Sequence, residues 1–123
     1  MLHSGLDLHK RTLVISTVDD TGHPIADASL PTTRAAVRSY FARHPGPHRA
    51  VVESTSNWYW LRDLLATTDV ALTLAHSKYV KAISYAKVKT DAVDAATLAQ
   101  LLRSDLIPAA CHRSCEIPYL AIV

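Results

Sequence analysis

Between Gly5 and Pro31 the chain passes through three β-like segments whose connections are too short to hold a helix. "SGLDLH" alternates, with Leu6 and Leu8 on one face and Gly5, Asp7 and His9 on the other. "TLVISTVD" is rich in β-branched residues, which suit a pleated, half-buried surface. "DDTGHP" is turn chemistry, punctuated by Gly22 and Pro24. "IADASLP" offers a third strand, with Ile25, Ala28 and Leu30 as its apolar signal. A parallel crossover needs a dozen or more residues, so these strands must form an antiparallel meander over residues 5 to 30.

The pattern then changes to alternation. Thr32 or Thr33 caps a helix, "RAAVRSYFARH", with Val37, Tyr40, Phe41 and His44 on one face, Arg34 and Arg38 on another, and Pro45-Gly46-Pro47 at its end. "RAVVE" is a buried strand closed by Glu53. "NWYWLRDLLATT" is a helix with Trp58, Leu61, Leu64 and Leu65 inward, and Ser54 to Ser56 supply its turn and cap. "VALTLA" is a further strand. "SKYVKAISYAKV" is a basic helix, and "TDAVDAATLAQLL" a last one, stopped by Pro108. The order β-β-β-α-β-α-β-α-α implies an α/β fold, a mixed sheet with helices on its faces.

The last helix opens with Asp91 and Asp94, neighbours on its surface, where like charges repel. Capping is one explanation, since Asp is a good N-cap and acids suit a first turn. The spacing adds another. Asp91 and Asp94 continue into Leu98, Leu101 and Leu102, the apolar face. Paired carboxylates on an inward face need a cation or a proton. Asp7, in a short strand, and Glu53, at the end of an apolar one, are the other acids the order brings together. Each alone also reads as a solvated strand position. Asp19, Asp20, Asp27, Asp63, Asp69 and Asp105 fall in turns or on helix surfaces. Acids on a first strand, at the end of a fourth and on a last helix converge on one sheet face in a ribonuclease H-like (RuvC-like) fold. Four such carboxylates form a hard-oxygen site suited to Mg2+ or Mn2+, with two ions about 4 Å apart able to clamp a phosphodiester.

The composition, 49% hydrophobic and 20% charged with a net charge of +2, indicates a globular domain rather than a disordered chain. No run is long and apolar enough to span a membrane, and the N-terminus lacks a signal-peptide core, so a cytoplasmic protein is expected. Cys111 and Cys115 have no matching pair for a zinc site and read as free thiols. His3, His9 and His44 show no ligand spacing.

"GLDLHKRTLVISTVDDTG", "VVESTSNWYWL" and "KVKTDAVDAATLAQLLRSDLIP" resemble the N-terminal part of the DEDD transposases, the insertion-sequence family (IS one-ten group) that includes the Piv and MooV invertases. The resemblance covers residues 4 to 108, and its acidic letters fall on Asp7, Glu53, Asp91 and Asp94. It implies a RuvC-like domain over 1–107 that uses magnesium, with 108–123 as a short tail. It also implies DNA and a structured guide RNA as partners, and a homo-oligomer in the full-length form. In the family a C-terminal domain supplies a nucleophilic serine. That domain is expected to be missing here, as in a truncated fragment, and Ser54 and Ser56 are no substitute for it.

Lys78, Lys81, Lys87 and Lys89, with Tyr79 and Tyr85 interleaved, precede the acid pair. They suit phosphate contacts and base stacking, or simply a solvated helix face. Lys87 and Lys89 adjoin the acidic block and are the stronger candidates. Three functions follow: the catalytic domain of a transposase, a stand-alone Holliday-junction or structure-specific nuclease, or a non-catalytic regulatory binding fragment.

Overall fold

The computed structural model describes residues 1–53, 58–75, 91–105 and 109–112. Its elements are β1 (Leu2–Leu8), β2 (Thr12–Val18), β3 (Pro24–Pro31), α1 (Arg34–Ala42), β4 (His48–Glu53), α2 (Tyr59–Leu65), β5 (Val70–Ala75), α3 (Asp91–Arg103) and β6 (Ala109–His112). Among the described residues they build one mixed sheet in the order β3-β2-β1-β4-β5-β6. The meander is present, with β1 antiparallel to β2 and β2 to β3. β4 joins β1 in parallel, from Leu2 opposite His48 to Leu6 opposite Val52, and β5 runs parallel to β4.

β1 is central and is buried from His3 to Leu8. Both of its faces are covered because the crossovers place helices on both sides of the sheet. Leu6, Leu8, Leu13, Ile15, Ala50, Val52, Leu72 and Leu74 face α1 and α2, which contribute Val37, Tyr40, Phe41, Leu61, Leu64 and Leu65. Burying each large apolar side chain is worth about 1.5–3 kcal/mol. The opposite face is covered by α3, where Leu98 and Leu102 pack with Val51 and Ala75.

Thr33 caps α1, its hydroxyl accepting from the Ala36 N–H at 3.2 Å. A buried polar chain ties α1 to the sheet. Tyr40 donates to Thr17 Oγ1, Thr17 to Ser4 Oγ, and Ser4 to His48 Nε2, each at 2.6 Å. His48 Nδ1–H completes the direction by pointing to the His44 carbonyl, 3.4 Å away. His48 is thereby held neutral, and burial pushes its pKa down to about 4.

Three sequence expectations need correction. On β3 it is Ala26, Ala28 and Leu30 that pack against the core, while Ile25 is exposed. The strand period of two puts residue 25 on the opposite side from 28 and 30. Asp27 lies exposed on this same strand, not in a turn or on a helix. On α3 the buried positions are Ala95, Leu98, Ala99 and Leu102, with Leu101 only half-buried, because the sheet admits alanines more closely than the leucine count suggests.

The element order also ends differently. After α3 comes β6, antiparallel to β5 with Cys111 opposite Leu74, inside the stretch read as a tail. Four residues, "AACH", carry no period of their own; the open edge of β5 supplies the pairing. The basic helix expected near residues 77–88 and the caps at Ser54 to Ser56 lie outside the described residues.

Candidate metal centre

Asp7 and Glu53 end up side by side through strand register. Leu6 pairs with Val52, so Asp7 and Glu53 occupy the next position on adjacent parallel strands, about 4.8 Å apart in the sheet. Both share the face that α3 covers. Gly5, two residues before Asp7, lies against Ala95, Leu98 and Ala99, and Val51, two before Glu53, packs on Leu98 and Leu102. Each acid is 7% exposed. Carboxylates are seldom buried to this extent without compensation.

The direction of α3 follows from its contacts. Arg49, early in β4, donates to the Leu102 carbonyl at 3.1 Å and to Asp105 at 2.9 Å, while Val51 meets Leu98 and Leu102. Moving along β4 toward Glu53 therefore moves along α3 toward its start. From Leu102 back to Asp94 is about 12 Å of helix; from Arg49 to Glu53 is about 13 Å of strand. α3 thus runs opposite to β4, with its N-terminal end directed toward the strand ends that carry Asp7 and Glu53.

One neighbour of this site was passed over in the sequence. His9 Nε2 lies 3.2 Å from Asp7 Oδ1, with the imidazole 46% exposed. Alternation along β1 was the available signal, since it places His9 beyond Asp7 on the same side. His3, by contrast, is buried and its Nε2 lies 2.8 Å from Asp20, and His44 Nδ1 lies 2.9 Å from the Tyr40 carbonyl. Asp20 is held below the usual carboxylate range by that histidine first and the N-terminal ammonium second. Asp19 is likewise lowered, by the Thr21 hydroxyl and then the His23 N–H. Asp19 therefore serves the β2–β3 turn, and Asp20 ties that turn to the start of β1.

Among the described residues no three His, Cys, Asp or Glu side chains stand together as a metal-holding group. Asp7 and Glu53 supply two hard oxygen donors on one face, the donor type that Mg2+ and Mn2+ take. Lys78, Lys81, Lys87 and Lys89 lie outside the described residues, as do Tyr79 and Tyr85. No helix among the described residues is long and apolar enough to cross a membrane.

No curated protein matches the chain. A family model described as a transposase, of the IS110 DEDD type, matches residues 4–114. The match reaches past the 4–108 seen in the sequence blocks and takes in β6. It spans the meander, the parallel strands and α3, so the chain belongs to the IS110 group of DEDD transposases.

Proposed function

We propose that this chain is a ribonuclease H-like metal-holding domain that acts on DNA in transposition, with Asp7, Glu53, Asp91 and Asp94 as its carboxylate set. The observation that carries the reading is the shared face and register of buried Asp7 and Glu53 beneath the start of α3. The sheet order, an antiparallel meander continued by two parallel strands, supports the same fold.

Asp7 and Glu53 fit a divalent cation by donor type, and Asp91 and Asp94 complete the set. Two bound ions, Mg2+ or Mn2+, would supply charge stabilisation at the attacking and leaving oxygens of a phosphodiester. The residues themselves do the rest. Parallel strand ends fix the first two carboxylates on rigid backbone, His9 restrains one oxygen of Asp7, and the surrounding apolar packing of Leu98 and Val51 limits water. Lys87 and Lys89, together with Lys78 and Lys81, are the lysines assigned to phosphate contacts in this reading. A structured guide RNA and a second copy of the chain belong to this reading as partners.

The test is calorimetric titration of the 123-residue chain with MgCl2. Asp7→Asn and Glu53→Gln are each expected to weaken binding at least tenfold. Wild-type-like affinity in both variants would overturn the assignment.

A further inference from the structure

The cations among the described residues fall into two groups. Arg49 and Arg62 form ion pairs with Asp105 and Asp63, at 2.9 and 3.1 Å, Arg103 donates to Gln100 at 3.0 Å, and the Arg43 guanidinium lies 6.0 Å from the centre of the Tyr40 ring. Lys10, Arg11, Arg34 and Arg38 are exposed and make no ion pair among the described residues. Arg38 and Asp69 line the same cavity, of about 280 Å³, without pairing.

The segments that carry the four unengaged cations are joined through Thr32. Lys10 and Arg11 form the tip of the β1–β2 turn, three and four residues past Asp7. The end of β3 is bonded to that turn. The Thr32 N–H donates to the Arg11 carbonyl at 3.1 Å, and the Thr32 hydroxyl to the His9 carbonyl at 3.0 Å. α1 begins two residues later with Arg34, and Arg38 follows one turn on, about 6 Å along the axis. The first turn of α1 contains no acid. Arg34 therefore stands where the helix dipole already disfavours a cation, and an external anion relieves that conflict. Because the turn is held by backbone bonds, presenting its cations costs little additional ordering.

We propose that Lys10, Arg11, Arg34 and Arg38 form a phosphate track for duplex DNA, leading from the rim of the Asp7–Glu53 site round to the α1 face of the sheet. The proposal uses the acidic-site reading for its starting point. DNA is the occupant because the track begins where a DNA phosphodiester would react. It is distinct from the lysines at 78–89, which precede α3 on the chain.

The experiment is fluorescence anisotropy with a labelled duplex DNA of arbitrary sequence, over a series of NaCl concentrations. Arg34→Ala/Arg38→Ala and Lys10→Ala/Arg11→Ala should each weaken binding for every sequence. Each should also reduce the slope of log K against log salt by about 1.8, two phosphate contacts' worth. Arg34→Lys/Arg38→Lys should retain the slope, and Arg62→Ala should change nothing. An unchanged slope in Arg34→Ala/Arg38→Ala, with a wild-type melting temperature, overturns the track, and so does a wild-type chain that does not bind the duplex. Loss confined to a duplex RNA, with DNA affinity intact, overturns the choice of DNA. Magnesium titration of the same variants should match wild type. A wild-type chain that takes up no magnesium yet shows the slope change would count against the acidic site while supporting the track.

Discussion

Gly5 and Ala95 are in contact through backbone: a Cβ built on Gly5 would collide with the Ala95 carbonyl oxygen and lie 2.7 Å from Leu98 Cβ. The glycine is required by this approach, with Ala95 and Ala99 as its counterparts on the helix. Gly5→Ala must push α3 off the sheet. The expected cost is about 2–3 kcal/mol, or more if the helix cannot shift. Urea unfolding measures it, and a loss below about 0.5 kcal/mol would show that α3 is not seated this closely.

Asp94 should oppose folding in the absence of metal. Carboxylates gathered at one place repel, and bound cations offset the repulsion. Asp94→Asn is expected to raise the melting temperature in EDTA and to diminish the further rise on adding magnesium. Identical melting shifts with magnesium in the variant and the wild type would remove Asp94 from the set.

His48 makes stability depend on pH. Its pKa is lowered from 6.5 to about 4 in the fold, so between these values the unfolded chain binds the proton first. The contribution is complete above about pH 6.5 and is lost as pH falls toward 4. Its size is on the order of 2 kcal/mol after allowance for solvent screening. Protonation would also reverse the hydrogen-bond chain, with Ser4 then accepting from Nε2 and Tyr40 losing its acceptor. NMR should show the His48 ring still neutral at pH 5, and His48→Gln should flatten the urea midpoint between pH 6.5 and 4.5. A ring that titrates near 6.5 would contradict the buried neutral state.

Lys87→Ala/Lys89→Ala should weaken nucleic-acid binding equally across sequences and lower the salt slope by about 1.8 on duplex DNA. A loss restricted to one sequence, at unchanged slope, would point to base contacts instead.

The meander, the parallel strands and all three described helices were legible because each has a period or a boundary of its own. Thr33, Pro45 and the β-branched run at 13–18 are local signals. β6 was not legible, because its pairing depends on an edge that only the folded sheet creates. Asp7 and Glu53 were legible as acids on strands, yet their closeness depends on the register of Leu6 with Val52, which no local pattern encodes. His48 carries no sequence signal either. Its environment is assembled from Ser4, Thr17 and Tyr40, on three other elements.

The central position of β1 also sets an order of events. Its contact with β2 closes over a few residues, its contact with β4 waits some forty residues, and its α3 face stays open until residues 95–102 have been synthesised. Local pairing forms fast, and distant pairing must first overcome loop-closure entropy. On the ribosome the hairpin of β1 and β2 emerges long before the helix that covers Gly5. Asp7 thus spends that interval in water, where its charge is solvated, and is enclosed only by the last described helix of the chain.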